Sequence, residues 1–462
     1  MPEVHLDDTI AAISTPPGEG GIGIVRLSGP DAVTIVSRMF RSANGTDLMN
    51  AKSHTVHFGT ICDRQSRIVD QALVSIFRAP KSYTAEEAAE ISAHGGRRVL
   101  QRILGLALSY GARQAEPGEF TRRAFLNGRM DLAQAEAVLD LIRARTDRSL
   151  DVAVKQLRGK LSQEVKAIKD ELMTVYVHLE AYLDFPDEHL EVYSNKDFLQ
   201  KLQQAADQLS ALIASYSKGE ILREGALVVI VGHPNAGKSS LLNALLDRDR
   251  AIVSEIPGTT RDVLEESIEL DGLWIRIVDT AGLGRSQDPL DRAGMERTKR
   301  YVCEGDLFLW MLDGSLGFLD EDQEIFEVLK DKKVIAVVNK IDLPEQKRLN
   351  VLEYIVPQES IVSISAKTRA GIGQLEKKIK TTVLDEELGE ESVLITRLRH
   401  KRALEASLDA LEKSRSSLER RESLELVTFD LKQALDALRE FVGEIYSEDL
   451  LDLIFNEFCI GK

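Results

Sequence analysis

Between the apolar run Leu227–Val231 and the helix-prone stretch Ser239–Leu246, the chain reads Gly232-His-Pro-Asn235-Ala236-Gly237-Lys238-Ser239. This is a Gly-x-x-x-x-Gly-Lys-Ser loop in the strand–loop–helix context that such a loop requires. Its glycines let backbone N–H groups face an anion, and the helix N-terminus adds partial positive charge. Four more apolar runs follow: Ile275–Val278, Leu307–Leu312, Val334–Val338 and Ile361–Ile364. Near-continuous apolar runs fit a mostly parallel, doubly wound sheet covered on both faces. Ser267–Leu270 and Leu273–Arg276 flank Asp271-Gly272, which predicts one antiparallel hairpin.

The loop is one of four nucleotide motifs, each predicted at a strand's C-terminal end, where doubly wound sheets bind ligands. Asn235 to Ser240 form the phosphate cradle. Lys238 is expected to reach the β and γ phosphates, and Ser239 to ligate Mg²⁺. In Asp279-Thr280-Ala281-Gly282, the aspartate suits a water-mediated Mg²⁺ contact and the Gly282 N–H suits the γ phosphate. In Asn339-Lys340-Ile-Asp342, the Asp342 carboxylate can accept guanine N1–H and the 2-amino group, which selects GTP over ATP. The Lys340 stem can lie along the base. Ser365-Ala366-Lys367 can offer a backbone N–H to the guanine oxygen. The switch is read as Ser254-Glu255-Ile256-Pro257-Gly258-Thr259-Thr260, with Thr260 as a second Mg²⁺ ligand. Leu283 stands where Ras-like enzymes carry the water-orienting glutamine, so another group must place the water. Arg261 and Arg285 read either as fingers in trans or as solvated charges.

The flanks differ in texture. Residues 1–118 alternate short strands with Gly/Pro turns, including Ile22–Leu27, Ala72–Phe77 and a helix Arg97–Tyr110, an α+β pattern. From Leu150 to Leu183 apolar residues recur at steps of three and four, one helical stripe. The stripe stops at Phe185-Pro186, and a second helix runs to Gly219. After acidic residues Asp385–Glu391 the same periodicity returns, from Val427 to Ile445. The expected domains are 1–118, 119–220, 221–384 and 385–462. The second and last read as one helical domain interrupted by the GTPase domain, or as two helical domains.

With 59 basic and 75 acidic residues, the net charge of −16 excludes a generic nucleic-acid coat. A modest positive patch is available at 91–150, which holds ten Arg and six acidic residues. The cysteines Cys62, Cys303 and Cys459 form no Cys-x-x-Cys pair, which argues against a zinc ribbon and for a reducing compartment. No targeting signal or membrane span is read, so a cytoplasmic protein is expected.

Together these motifs resemble the MnmE (TrmE) family of tRNA-modification GTPases. Outside the GTPase domain the resemblance rests on Ser14-Thr-Pro-Pro-Gly18, Gly20-Gly-Ile-Gly23, Pro117-Gly-Glu-Phe-Thr121, Arg123-Ala-Phe-Leu-Asn127 and the terminal Cys459-Ile-Gly-Lys462. It implies a homodimer with a folate-binding-like N-terminal domain and a tetrahydrofolate one-carbon donor, in the 5-formyl or 5,10-methylene form. It also implies a flavoprotein partner, MnmG, that brings FAD and completes a heterotetramer. The pair would add an aminomethyl or carboxymethylaminomethyl group to carbon 5 of the wobble uridine of certain tRNAs. Hydrolysis of GTP would require K⁺. Carried over, Arg26, Glu90, Arg129 and Lys462 match folate contacts. Asn235, Ser254, Ile256 and Thr259 match K⁺ contacts. Asp291 aligns with the water-positioning carboxylate, where glutamate is usual. Ala85 stands where glycine is common. Cys459 reads either as a reactive thiol near the one-carbon centre or as structural.

Two other readings compete. A ribosome-assembly GTPase predicts an appended RNA-binding module, but residues after the GTPase domain carry neither a Gly-x-x-Gly clamp nor a basic tail. A mechanical or signalling GTPase would use the long helices for self-assembly and leaves the first 120 residues without a role.

Overall fold

The structure, a computed structural model, describes residues 7–184, 195–246, 265–279, 301–344, 352–384 and 393–462. Two compact units emerge. One comprises Met1–Leu139, Gln156–Ala205 and Ala406–Lys462, the other Asp140–Lys155 and Ala206–Glu405.

The first unit is built on seven strands: β1 (Ile10–Ile13), β2 (Gly20–Ser28), β3 (Phe40–Ser42), β4 (Thr55–Cys62), β5 (Ile68–Phe77), β6 (Ala88–Gly95) and β7 (Arg113–Gln114). Their order is β3-β4-β5-β6-β2-β1-β7, antiparallel except for β1–β7. Strand side chains alternate between faces. Val25 and Leu27 join Val74, Ile91, Val36 and Ile103 in one core that includes residues of helices Ala32–Met39 and Arg97–Ser109. Arg26, between them, points the other way. The opposite face buries Ile10 and Ala12 against Phe120, and Arg26 stands beside that smaller cluster.

The helical part of this unit pairs Lys160–Asp184 with Leu424–Val442. Their stripes, Leu161, Val165, Ile168, Leu172, Val175 and Leu179 against Val427, Leu431, Leu435 and Leu438, are buried as their spacing predicts. Two details differ from the sequence expectation. The stripe from Leu150 to Leu183 is two helices, Asp147–Leu157 and Lys160–Asp184, broken at Gly159 with φ +79°. A break this short leaves the periodicity intact, so spacing alone does not reveal it. Ile445 lies beyond the helix, which closes on Gly443 in the left-handed region.

In the second unit the strands are β8 (Ala226–Gly232), β9 (Glu265–Leu270), β10 (Leu273–Asp279), β11 (Leu307–Asp313), β12 (Val334–Asn339) and β13 (Ile361–Ser363). The order is β13-β12-β11-β8-β10-β9, parallel except for the β9–β10 hairpin at Asp271-Gly272. β8 sits inside the sheet, and the later strands lie on both sides of it, which opens a crevice at its C-terminal end. The helix expected to end near Gly219 is instead two, Asn195–Ala214 and Tyr216–Glu224, parted at Ser215, and the second runs past Gly219. Gly219 is needed there for close packing, because a Cβ would lie 2.1 Å from the Ile395 carbonyl oxygen. No helix among the described residues is long and apolar enough to cross a membrane.

A buried ionic cluster ties the start of β1 to helix Glu119–Leu126. Arg123 is fully buried and pairs with Glu119 at 3.0 Å, Glu86 at 3.3 Å and Asp8. Arg113 reaches Glu119 at 2.6 Å and Asp8 at 2.7 Å. Burial by itself raises the carboxyl pKa values of Asp8 and Glu119, but the arginines outweigh it and hold both below their ordinary 3.8 and 4.5. A lowered folded-state pKa stabilises the fold above the ordinary value, and that stability is lost as pH falls through the lowered one. Protection factors in β1 and β7 (exchange measured against the intrinsic rate at each pH) are therefore expected to be high above about pH 5 and to fall as pH drops below 4. An unchanged protection pattern would remove the cluster from the stability of this unit. Ala85 carries φ +61°, a conformation that costs a non-glycine residue roughly 1–2 kcal/mol. Ala85→Gly is expected to stabilise the first unit by about 1 kcal/mol, after the extra freedom of glycine in the unfolded chain is subtracted. Chemical denaturation measures it.

Candidate active site

The phosphate loop follows β8 and runs into helix Lys238–Leu246. Lys238 is buried, and its ammonium donates to the carbonyls of Gly232 at 2.9 Å and His233 at 3.1 Å. Burial pulls its pKa down, and Asp279 opposes that. Ser239 Oγ donates to Asp279 Oδ2 at 2.8 Å. Asp279 Oδ1 is buried with no hydrogen-bond partner among the described residues. A hydroxyl and a carboxylate with an unspent oxygen, next to a phosphate cradle, form an oxygen-donor set that fits Mg²⁺.

Asn339 ends β12 and is buried. Its Nδ2 donates to the Ala236 carbonyl at 2.8 Å, and its Oδ1 accepts from the Ala366 N–H at 3.0 Å. One side chain thus joins the phosphate loop to the loop after β13. Gly237 adopts φ +102°, and a Cβ there would sit 2.2 Å from Asn339 Nδ2. Only glycine fits. Lys340 adopts φ +66°, and its ammonium meets Asp313 Oδ2 at 2.5 Å. Asp342 Oδ1 accepts from Ser365 Oγ at 2.7 Å. That hydrogen bond holds the Asp342 carboxyl below its ordinary range. The carboxylate itself stays exposed, open to donors from a ligand.

These groups line one cavity of about 500 Å³, bounded by Asn235, Gly237, Lys238, Ser239, Ser240, Asp279, Asn339, Lys340, Asp342, Leu343, Ala366 and Lys367. The sequence reading missed Asp313, which anchors Lys340. Its signal was an acid closing the apolar run Leu307–Leu312. Ser254, Glu255, Ile256, Pro257, Gly258, Thr259, Thr260, Thr280, Ala281, Gly282 and Asp291 lie outside the described residues, as do Arg261, Leu283 and Arg285.

A second constellation lies on the face of the first unit's sheet opposite its main core. Arg26 and Glu90 are cross-strand partners on β2 and β6, joined at 2.8 Å. The Arg26 guanidinium lies 5.5 Å from the Tyr83 ring centre and 5.6 Å from that of Phe120. The C-terminal tail comes to them. Ile460 bridges Pro117, and Gly461 packs where a Cβ would meet the Ile13 carbonyl at 2.5 Å. Lys462 is half-buried. Burial lowers its pKa, Arg26 lowers it further, and Glu90 and Cys459 pull it back up. Cys459 is an exposed free thiol. Arg129 is exposed just past helix Glu119–Leu126, its N–H bonded to the Ala124 carbonyl at 2.8 Å. Tyr83 and Phe120, which flank Arg26, were not singled out from sequence as site residues.

Comparison with known proteins follows the same division. A model described as GTP-binding protein TrmE N-terminus matches residues 9–129, and one described as MnmE helical domain matches residues 132–459. The chain is 43% identical over 461 residues to the tRNA modification GTPase MnmE of Carboxydothermus hydrogenoformans, covering 99% of this chain and 100% of that protein. It is 45% identical to the protein of that description from Thermoanaerobacter pseudethanolicus, with 98% and 99% covered. For the Moorella thermoacetica protein the identity is 46%, with 99% and 100% covered.

The exposed Asp342 carboxylate yields a direct test. Each hydrogen bond to a charged group is worth about 1.5–3 kcal/mol. Asp342→Asn is expected to weaken GTP binding by about 10–100-fold and to improve binding of xanthosine triphosphate, whose carbonyl meets the new amide. Titration with both nucleotides measures it, and undiminished GTP affinity would remove Asp342 from base recognition.

Proposed function

The chain belongs to the MnmE family of tRNA modification GTPases, and from that membership we propose how its two sites divide the work. It is a GTP hydrolase in tRNA modification. Its second unit spends GTP to drive a one-carbon transfer that the first unit supports. The transfer delivers an aminomethyl-type carbon to C5 of the wobble uridine, with a tetrahydrofolate derivative as donor and a flavoprotein, MnmG, as partner.

The observation that carries this reading is that four separate chain segments meet at one cavity behind a phosphate loop. In it Lys238 leaves its two carbonyls for the β and γ phosphates, while Asp342 takes the guanine edge. Ser239, together with Thr260, would hold Mg²⁺, with Asp279 acting through water, and the ion would supply charge neutralisation at the phosphates. Asn235, with Ser254, Ile256 and Thr259, would hold K⁺, which would supply the charge that an arginine finger brings elsewhere. Asp291 would position the water that Leu283 cannot.

The Arg26–Glu90 pair supports the folate assignment. Glu90 spends one oxygen on Arg26 and keeps the other for pterin N–H donors. Tyr83 and Phe120 hold Arg26 flat, and Lys462 adds a second cation whose charge burial has loosened. Arg129 would serve a folate carboxylate. Cys459, whose carbonyl accepts the Lys462 N–H at 3.4 Å, would face the donor's one-carbon group. A homodimer is supported by an exposed apolar pair, Phe58 on β4 directly opposite Leu73 on β5, with Val56 beside it. Three free cysteines suit a cytoplasmic setting.

Mass spectrometry of tRNA nucleosides from cells lacking the gene tests the reading. Loss of the aminomethyl-type uridines is expected, restored by the intact chain and not by Lys238→Ala. Arg26→Ala is expected to keep GTP turnover and fail to restore the nucleosides. Exchange of K⁺ for Na⁺ is expected to slow turnover, at most by the ~10³–10⁵-fold that an arginine finger supplies. An unchanged nucleoside profile in the deletion would overturn the one-carbon reading and leave the GTPase.

A further inference from the structure

Lys238 holds the phosphate loop from its inner side, through the carbonyls of Gly232 and His233. A bound nucleotide competes for that ammonium. The course of the chain at His233 must then be kept from the outer side of the loop.

His233 is buried. Two residues before it, Val231 lies in an apolar layer with Trp310 of β11 and with Ile325 and Leu329 of the helix Asp320–Leu329. The His233 ring donates from Nδ1 to the Pro234 carbonyl at 2.6 Å, because a carbonyl can only accept. In the neutral ring the other nitrogen, Nε2, is then an acceptor. It is buried and has no hydrogen-bond partner among the described residues.

The start of the helix supplies a counterpart. Asp322 is fully buried, and its Oδ2 accepts the Leu319 N–H at 3.0 Å. That bond caps the helix and needs only one carboxylate oxygen. Oδ1 is left buried with no partner among the described residues. His233 lies within electrostatic reach of this carboxyl. Trp310 Nε1, a donor in the same layer, is likewise buried without a partner among the described residues. Its indole stacks on Phe326, about one helical turn beyond Asp322, with ring centres 5.6 Å apart, and meets Phe318 edge-on at 6.0 Å.

An unpaired polar atom in a protein interior is uncommon. Two acceptors cannot bond each other, so a carboxylate oxygen and a ring lone pair are joined only by a shared donor. One water satisfies both by donating a hydrogen to each. It can also accept from an indole N–H, which makes up the roughly three hydrogen bonds of an ordinary buried water.

We propose that Asp322 is a positioning residue of the phosphate loop and holds His233 through one buried water. The link fixes Gly232 to Pro234 when the Lys238 ammonium turns to the phosphates, so the backbone N–H groups further along the loop keep their aim. Asp322 itself touches no nucleotide atom. The inference rests on the nucleotide reading of the cavity beside Lys238.

The test titrates the full chain with GDP and follows GTP turnover. Asp322→Ala and His233→Ala are each expected to weaken GDP binding about tenfold. The double variant should also lose about tenfold, because either change breaks the same link. KM for GTP should rise with the loss of affinity while kcat stays within about twofold, the pattern of binding lost equally from ground and transition states. His233→Gln, whose carboxamide reaches the place of Nε2, should recover most of the affinity. Leu329→Ala opens a cavity under the same helix and should lower the melting temperature without changing GDP affinity. His233→Ala leaves the helix cap intact, so it and His233→Gln decide the matter if Asp322→Ala does not fold. Unchanged GDP affinity in the single variants, or a loss of about a hundredfold in the double variant, would overturn the inference. So would a Leu329→Ala that weakens GDP as much as Asp322→Ala. A wild-type chain that binds no GDP would overturn the nucleotide reading as well, whereas wild-type binding with additive variants overturns this inference alone.

Discussion

The nucleotide site depends on the side chain of Asn339. Its amide is buried with both ends engaged, one on the carbonyl of Ala236 and one on the N–H of Ala366. Loss of either bond would leave a buried polar group unpaired, which costs about 1–3 kcal/mol. The phosphate loop and the loop after β13 are therefore held at one separation by one residue at the end of β12. The backbone obeys the same restraint. Gly237 has no room for a side chain because Asn339 Nδ2 is already there. Lys340, next in sequence, turns through the left-handed region and is pinned on Asp313. That turn leaves Asp342 exposed at the cavity, braced by Ser365. The exposed Asp342 carboxylate and the phosphate loop are thus both positioned from a single short segment.

The first unit solves a different problem, bringing groups from opposite ends of the chain together. The pairing of β2 with β6 puts Arg26 against Glu90. Nothing local in the tail dictates where Lys462 goes. Its course is set by the Pro117–Ile460 bridge and by a passage beside Ile13 that admits only glycine at 461. The short terminal sequence is therefore read as a strap with a cation at its end and a thiol along it.

Much of this was legible in the residues. The four nucleotide motifs fall at strand ends in the order expected, and the β9–β10 hairpin turns at Asp271-Gly272, with both residues at positive φ. These features are local: a turn type or a phosphate loop is written in consecutive residues. What was not legible is what spacing cannot carry. The break at Gly159 hides inside an unbroken three-and-four rhythm. Asp313 closes β11, and nothing in its neighbours in sequence shows that Lys340 comes against it. Tyr83 and Phe120 flank Arg26 only because a loop and a helix from different parts of the chain converge on the same sheet face. Gly219, read as a helix end, instead lets the backbone at Ile395 approach.

The arginine excess of residues 91–150 shows why summed charge is a weak guide to binding. Ten arginines against six acids reads as a diffuse positive patch. In the structure Arg113 and Arg123 are consumed by Asp8, Glu86 and Glu119, and Arg122 by Glu448 and Asp452. Arg145 lies on the ring of Trp274. Their charge is spent on cohesion, in pairs whose disruption would strand a buried ion. Arg97 and Arg98 remain uncompensated, adjacent, and on the wall of an apolar cavity. A fully solvated arginine gains little from one phosphate because water and salt screen it, whereas one beside a low-dielectric wall holds an anion with less competition. Summed charge across a segment therefore says little about where an anion could be held, because most of these arginines are spent on partners within the fold.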